Sequence, residues 1–263
     1  MQLLEVDASR CTRDGLCVAV CPCRVLESDA DGRPVAAVPE LCNDCGHCLA
    51  VCPHGALTHA RLATGGVSAN VRTFPAAETV DGLLRGRRSI RAYVDRPVSR
   101  ELLDEVLDVS RYAPTASNAQ EIRWIATTDP DKVRELAGLT ADWFAAREVR
   151  PVWRRYLDLW DKGYDAFLRG APALVLVHTA TDAPFGAVDC GIALTFFELA
   201  AVARGLGACW TGLLVLAAAA SAPLRAALGL PEGHTLRGGL MLGYPKMRYA
   251  GVPPRHPAVV SWL

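Results

Sequence analysis

Cysteines near the N-terminus have the type and spacing needed to bind a metal cluster. The chain has ten cysteines in 263 residues, and eight of them lie between positions 11 and 52. The second group follows the pattern C-x2-C-x2-C-x3-C-P and ends at Cys52-Pro53. Three thiolates on a tight loop can each bind one iron of a cubane, whereas zinc sites usually pair two C-x2-C knuckles without a trailing Cys-Pro. The spacing therefore favours a [4Fe–4S] cluster over a structural zinc ion.

An earlier run repeats the same register with one change. It passes through Cys11 and Cys17 and ends at Cys21, but Asp14 occupies the second cysteine position. An internal repeat of this size suggests a small domain with pseudo-twofold symmetry. The first 60 or so residues resemble bacterial two-cluster ferredoxins.

The resemblance implies crossed ligation, in which the last cysteine of each run binds the other cluster. A carboxylate such as Asp14 is a harder ligand than a thiolate and holds iron less tightly. We therefore expect one cluster to be sensitive to oxidation and able to lose one iron to become [3Fe–4S]; alternatively, that first site is vestigial and empty. The implied ligand sets are Cys21, Cys42, Cys45 and Cys48 for one cluster, and Cys11, Cys17 and Cys52 with Asp14 as candidate fourth ligand for the other.

Three short segments beyond residue 80 carry groups that could hold a phosphorylated heterocycle. The segment 87–91 contains three arginines and a serine, and arginine offers forked, charge-assisted donors to phosphate. The loop 113–120 contains amide side chains, which can donate and accept hydrogen bonds. The segment 242–248 is a strand end followed by two cations. Each segment alone is a weak signal, since basic clusters are usually solvated surface.

Taken in this order, the three segments resemble the nitroreductase family of FMN oxidoreductases, over about residues 80 to 250. Their position after a ferredoxin is similar to that in ferredoxin–nitroreductase fusions. The resemblance implies FMN at a homodimer interface, where the partner subunit supplies part of the loop 113–120. Thr211 stands where better-known members carry an acidic residue beside the flavin. The implied FMN-binding residues are Arg87, Arg88, Ser89, Arg91, Pro114, Thr115, Ala116, Asn118, Gln120, Trp210, Thr211, Gly212, Lys246 and Arg248.

The sequence predicts two domains of the α+β class. Residues 1–62 would form a ferredoxin-type iron–sulfur domain, and residues 63–79, rich in small residues, a linker. Residues 80–263 would form a nitroreductase-like α+β sandwich with a mixed or antiparallel central sheet and a long, buried dimer helix. Hydrophobic spacing predicts helices after Ser99, within 141–168 and at 190–204, and strands at 123–128, 173–179, 209–216 and 238–245.

Net charge and the cysteine pattern indicate which partners and which cellular compartment to expect. Formal net charge is zero, so neither nucleic acid nor an acidic membrane surface is an expected partner. No basic region followed by an apolar run opens the chain, and the cysteine pattern suits metal-bound thiolates in a reducing cytoplasm. The uncharged stretch 205–224 contains glycines and Pro223, so we expect a strand, a turn and a helix start rather than a membrane span.

These features together predict a redox enzyme. Electrons would pass from an external low-potential carrier, such as a ferredoxin or flavodoxin, through two iron–sulfur clusters to FMN. From FMN they would reach an electron-poor small molecule, such as a nitroaromatic, a quinone, an enone or an imine. No G-x-G-x-x-G follows a strand, so a dedicated NAD(P)H Rossmann site is not indicated. Two alternatives remain: an FMN-dependent dehydrogenase running in the oxidative direction, and a non-enzymatic electron carrier or redox sensor.

No side chain is predicted to be an obligatory acid or base. The aromatic segment 141–168 is a candidate lid over the substrate, although such a segment more often packs as a cover. His178 is a candidate for the same pocket, although a histidine at a strand end is more often a core residue. The candidate pocket residues are therefore His178, Trp143 and Trp153.

Overall fold

Two compact units make up the part of the chain that the structure describes. The structure is a computed structural model and describes residues 2–62 and 74–263. The N-terminal unit comprises Met1–Phe74 with Ala116–Ala119, and the C-terminal unit comprises Pro75–Thr115 with Gln120–Leu263. Most of the expected linker, residues 63–73, lies outside the described residues, and its last three residues already belong to a helix.

Short strands and two single-turn helices form the N-terminal unit. Strand β1 pairs antiparallel with β4, and β2 with β3. Leu4 lies opposite His59, and Leu26 lies opposite Ala36. The elements are β1 (Leu4–Val6), α1 (Leu16–Val20), β2 (Leu26–Ser28), β3 (Pro34–Ala36), a 3-10 turn (Pro39–Leu41), α2 (His47–Val51) and β4 (Leu57–His59).

The backbone of the first half recurs in the second. Gly15 precedes α1 with φ 72°, and Gly46 precedes α2 with φ 71°. The residues at the corresponding loop positions, Arg13 and Asp44, also adopt left-handed conformations, with φ 61° and 53°. Glycine favours this region because it has no Cβ. The sequence repeat is therefore a conformational repeat.

The C-terminal unit is built around a four-stranded sheet. The strand order is β5-β6-β8-β7, and every neighbouring pair is antiparallel. The predicted α+β class is confirmed. The elements are α3 (Ala77–Gly86), α4 (Arg100–Ser110), β5 (Arg123–Thr127), α5 (Pro130–Ala145), α6 (Pro151–Trp160), β6 (Ala173–Ala180), α7 (Gly186–Ala203), β7 (Gly207–Trp210), α8 (Gly212–Ala218), α9 (Ala222–Ala227) and β8 (His234–Gly243).

Helices cover both faces of this sheet. Along β6, Val175 and Val177 pack in one core with residues of α4 and α7, whereas Leu174 and Leu176 pack in another with residues of α5, α8 and α9. Successive side chains of a strand point to opposite faces, so a strand covered on both faces is apolar throughout. This accounts for the continuous apolar run that predicts β6.

Helix α7 is the long apolar helix of the unit. By length and mean hydropathy, 1.6, it could cross a membrane, but half of it is buried in the structure, against α4 and the sheet. Val188 and Phe196 are exposed in the single chain, at 60% and 39%. The sequence predicts burial on all sides, in the core or in a subunit interface, and the role of this exposed side in a dimer stays a prediction.

Local signals place most boundaries correctly. The helix after Ser99 is confirmed, since the Ser99 hydroxyl accepts a hydrogen bond from the Leu102 N–H at 3.2 Å. The strand prediction for 209–216 is wrong after Trp210, where the chain turns into α8 and buries Leu214 and Ala217 at helical spacing. The segment 141–168 is helical only in part.

Candidate cofactor sites

The four thiols predicted to hold one cluster meet around one pocket of the N-terminal unit. Two come from the loop before α2, one from α2 itself and one from the end of the first run. Apolar side chains, including Leu4 and Leu26, form the rest of the wall. This pocket, here named the four-thiolate pocket, is lined by the four predicted ligands Cys21, Cys42, Cys45 and Cys48, and also by Cys23, which lies outside the ligand pattern.

Three thiols and a carboxylate line a second pocket in the same unit. This three-thiolate pocket contains Cys11, Cys17, Cys52 and Asp14. The Asp14 side chain is exposed, whereas Cys45, at the corresponding position, is half-buried. Asp14 Oδ1 accepts the Leu16 N–H at 3.1 Å. Asp14 therefore already stabilises the start of α1, whatever it contributes to a metal.

The donor sets of both pockets fit iron–sulfur clusters. Thiolate is the preferred ligand of iron in such clusters, and each pocket offers at least three. Each also receives one main-chain donor to sulfur: the Val25 N–H bonds Cys21 Sγ at 3.2 Å, and the Ala56 N–H bonds Cys52 Sγ at 3.3 Å. Burial raises the pKa of the Cys17 and Cys48 thiols. Binding metal must therefore release protons from these thiols.

A buried histidine and an ion pair adjoin the four-thiolate pocket. His59 is 5% exposed, and its Nε2 lies 3.5 Å from Cys42 Sγ. Burial lowers the pKa of His59, against the opposing effect of Asp44. Arg61 Nε donates to Asp44 Oδ1 at 2.9 Å, and its Nη2 donates to the Cys42 carbonyl oxygen at 3.0 Å.

Main-chain pairing brings together the basic segment, strand β7 and the segment after β8. Ser89 forms a parallel bridge with Ala208, and the Ile90 N–H donates to the Ala208 carbonyl at 2.9 Å. Two residues later in the same segment, the Ala92 carbonyl accepts the Lys246 N–H at 3.0 Å. Two of the three segments predicted to bind flavin, 87–91 and 242–248, thus meet β7, which leads to Trp210 and Thr211, at one edge of the sheet.

The arginines at this edge have different surroundings. Arg87 Nη1 bonds Glu198 Oε1 of α7 at 2.9 Å, and Glu198 is 5% exposed. Arg88 Nη1 donates to the Arg87 carbonyl, but its Nε and Nη2 are buried without a hydrogen-bond partner among the described residues. The Thr211 hydroxyl is also buried and unpaired within that part of the chain. Buried polar groups normally have partners, so these atoms fit a site for a phosphorylated, hydrogen-bonding ligand such as FMN.

The remaining predicted flavin residues are only partly gathered there. Arg91, Lys246 and Arg248 are exposed, and Trp210 and Gly212 continue from β7 into α8. In the loop 113–120, Pro114, Thr115 and Gln120 belong to the C-terminal unit, whereas Ala116 and Asn118 belong to the N-terminal unit. Within the N-terminal unit, Asn118 Nδ2 donates to the Asn43 carbonyl at 3.0 Å. Their roles toward a flavin stay predictions.

The candidate substrate residues lie in packed surroundings. Trp143 and Trp153 each contact the fully buried Phe144 ring edge-on, with centroids 5.0 Å apart. His178 Nδ1 lies 2.9 Å from His234 Nδ1, and burial lowers the pKa of His178. These contacts favour the alternatives in which the aromatic segment packs as a cover and His178 is a core residue. A role for these side chains in a substrate pocket stays a prediction.

Comparison with protein families decides the relationship. Residues 84–244 match the model of the nitroreductase family, and residues 3–53 match that of a 4Fe-4S dicluster domain. The chain belongs to the nitroreductase family. Both resemblances drawn from the motifs are confirmed.

Individual relatives of this nitroreductase-family chain agree with the assignment. The FMN reductase [NAD(P)H] of Bacillus subtilis is 30% identical, over 65% of this chain and 67% of that protein. The NADPH-flavin oxidoreductase of Vibrio harveyi is 30% identical, over 69% and 71%. The structure of a nitroreductase with bound FMN from Desulfitobacterium hafniense has a TM-score of 0.60 and 25% identity, over 72% of this chain and 100% of that one.

Several side chains that lie beside the candidate sites of this nitroreductase-family chain are not among the residues predicted from its sequence. Glu198 has a signal, since an acid within the apolar helix α7 must find a partner. His59 and Arg61 have a weaker signal, as polar residues at the end of the strand that follows the second cysteine run. A cavity of about 520 Å³ near the start of α5 and the end of α6, lined by Arg134, Trp160 and other residues, is also absent from the predictions.

Proposed function

We propose that this chain is an iron–sulfur flavoprotein oxidoreductase that passes electrons from an external low-potential carrier to an electron-poor organic substrate. The observation that carries the proposal is that Arg88 Nε and Nη2 are buried without a hydrogen-bond partner among the described residues, at the sheet edge where segments 87–91 and 242–248 meet β7. The two thiol-lined pockets support the iron–sulfur part. Relatives named for flavin reduction and nitroreduction support the reaction class.

Residues of the C-terminal unit would bind FMN through its phosphate and ring edges. Arg88 offers two buried donors to a phosphate, and Glu198 holds Arg87 at the same edge. The Thr211 hydroxyl lies beside the start of α8. It has no hydrogen-bond partner among the described residues, so it is available to bond a heteroatom of the flavin ring. FMN when bound would supply a centre that handles both one- and two-electron steps. The protein's task is to orient the ligand and substrate, so no obligatory acid or base is required.

Residues of the N-terminal unit would bind two iron–sulfur clusters, which supply single-electron transfer. The four-thiolate pocket would hold a [4Fe–4S] cluster. The three-thiolate pocket would hold a cluster with Asp14 as its fourth ligand, and that cluster would lose one iron in air more readily. The main-chain N–H groups of Val25 and Ala56 would stabilise negative charge on the ligating sulfurs.

A homodimer is part of the proposal. Exposed Val188 and Phe196 on α7 give the C-terminal unit an apolar surface that a second copy can cover. Analytical ultracentrifugation of the holoprotein is expected to give twice the chain mass, and a strictly monomeric holoprotein would contradict this.

Cofactor content and turnover test the function. Protein purified without oxygen is expected to contain iron, acid-labile sulfide and FMN. After stoichiometric reduction by dithionite, it should be reoxidised by at least one member of a panel of nitroaromatics, quinones, enones and imines faster than by buffer. Reduced ferredoxin, reduced flavodoxin, NADH and NADPH are compared as donors, since relatives are named for NAD(P)H. Absence of FMN, or no acceptor above the buffer rate, contradicts the proposal.

A substitution at Arg88 tests the flavin site directly. We expect Arg88→Gln to weaken FMN binding by about tenfold or more, since a hydrogen bond to a charged group contributes about 1.5–3 kcal/mol. Flavin fluorescence after serial dilution of the holoprotein measures the FMN that dissociates, and hence the effect. Arg134→Gln, which removes an exposed arginine of α5, is the matched control and should retain wild-type affinity. Equal affinities for wild type and Arg88→Gln would remove Arg88 from the site.

A further inference from the structure

His59 is a buried, non-cysteine side chain that lies beside a ligating sulfur in the four-thiolate pocket. It ends β4, is 5% exposed, and places Nε2 3.5 Å from Cys42 Sγ. The pocket wall includes this imidazole. A polar ring held against a thiol inside a core requires an explanation, because an unpaired buried polar group is costly.

A main-chain bond fixes which ring nitrogen carries the proton. The Arg61 N–H donates to His59 Nδ1 at 3.2 Å, so Nδ1 is the acceptor. A neutral imidazole has one donor and one acceptor nitrogen. The proton of neutral His59 therefore lies on Nε2, which faces Cys42.

The neighbouring carboxylate does not compete for this proton. Asp44 Oδ1 lies 3.7 Å from His59 Nε2, which is beyond hydrogen-bond length for nitrogen and oxygen. The same oxygen accepts Arg61 Nε at 2.9 Å and lies 2.7 Å from Arg61 Nη2. Since this oxygen of Asp44 is already bound to Arg61, the sulfur of Cys42 is the acceptor for the His59 Nε2–H.

We infer that His59 donates its Nε2–H to the Cys42 thiolate and thereby raises the reduction potential of the cluster in the four-thiolate pocket. The inference rests on the proposed function, in which this pocket holds a [4Fe–4S] cluster. Reduction adds negative charge to a cluster and its sulfurs, and a donor to a ligating sulfur stabilises that charge. His59 acts through Cys42 and is therefore a positioning residue.

Among the described residues, the three-thiolate pocket has no such side-chain donor. The position corresponding to His59 is Ser28 at the end of β2, and Ser28 is exposed. The main-chain donors to sulfur are matched, one for each pocket. The imidazole is thus an addition to one pocket, and its removal should affect one cluster only.

The test is a redox titration of the full-length holoprotein, monitored by EPR at fixed pH. His59→Leu is expected to lower the potential of one cluster couple and leave the other unchanged. His59→Gln retains an N–H donor and should restore most of the shift. Ser28→Ala is the matched control and should move neither couple. The inference is overturned if His59→Leu retains full iron and both wild-type potentials, or if His59→Leu and His59→Gln shift the couple equally.

A second measurement does not depend on His59→Leu, in case that variant fails to assemble its cluster. Wild-type holoprotein labelled with 15N-histidine is reduced and studied by pulsed EPR. We expect a 15N coupling at one reduced cluster, which His59→Gln abolishes; no such coupling at either cluster overturns the inference. Wild-type protein without acid-labile sulfide would instead overturn the proposed function, so the two failures can be told apart.

Discussion

The two cysteine runs of the N-terminal unit share a backbone but differ in the side chains that it carries. Gly15 and Gly46 have nearly the same φ, and each is followed by a five-residue helix. The chemical differences include three pairs of corresponding positions: Asp14 and Cys45, Arg13 and Asp44, and Ser28 and His59. The repeat therefore conserves a scaffold for thiolates, while the surroundings of the two pockets differ.

Two of these differences, at Asp14/Cys45 and Ser28/His59, favour the four-thiolate pocket as the more protected site. Its fourth thiol, Cys45, is half-buried, and the neighbouring His59 is buried. The three-thiolate pocket has the exposed carboxylate of Asp14 at the equivalent place. Thiolate binds iron more tightly than carboxylate, so the two clusters should differ in iron retention.

Exchanging the ligand types at Asp14 and Cys45 should produce the largest effect, which is on iron retention. Asp14→Cys is expected to retain about one more iron atom per chain in air and to abolish the EPR signal of a three-iron cluster. Cys45→Asp should make the four-thiolate pocket equally labile, or more so, because its carboxylate would be half-buried. Iron analysis and EPR after timed exposure to air measure both variants.

The control for this exchange is Asp14→Asn. Its side-chain oxygen can still accept the Leu16 N–H, so it retains this hydrogen bond at the start of α1 and removes the carboxylate. If Asp14 binds iron, Asp14→Asn loses iron faster than wild type. Wild-type behaviour in Asp14→Asn, together with no gain in Asp14→Cys, would mean that the three-thiolate pocket is empty or that Asp14 serves only to stabilise the start of α1.

Because the loops before α1 and α2 share one backbone conformation, the same substitution in each should destabilise the protein equally. Gly15→Ala and Gly46→Ala each place a Cβ at positive φ, which costs about 1–2 kcal/mol. The new Cβ meets nothing within 4 Å at Gly15 and only Leu62 at 3.5 Å, an ordinary contact, at Gly46. We expect similar falls in the temperature at which cluster absorbance is lost. Gly82→Ala, within helix α3, is the control and should cause no fall; a large effect in one glycine variant alone would refute the equivalence.

A site could be predicted from the sequence more completely when its residues lie close together in the chain. Three of the four thiols in the four-thiolate pocket lie within one short run, so spacing alone indicates chemistry. Arg87 and Glu198 are far apart in sequence, and only the packing of α7 against the sheet edge makes them neighbours. The strand prediction beyond Trp210 is wrong because apolar composition alone cannot distinguish β7 from α8. The buried state of Arg88 depends equally on tertiary packing.

The smallest expected effect concerns Arg61, which has no counterpart in the first half. Arg61→Gln removes the bonds to Asp44 and to the Cys42 carbonyl, and so loosens the loop that carries one ligand. Both partners of this pair are partly exposed to solvent, so we expect only a few-fold faster loss of iron from the four-thiolate pocket to a chelator. Arg33→Gln breaks an exposed pair with Asp31 in the first half and should leave that rate unchanged. Equal rates for Arg61→Gln and Arg33→Gln would mean that the thiolates alone retain the iron, and that the extra contacts of the second half influence only its reduction potential.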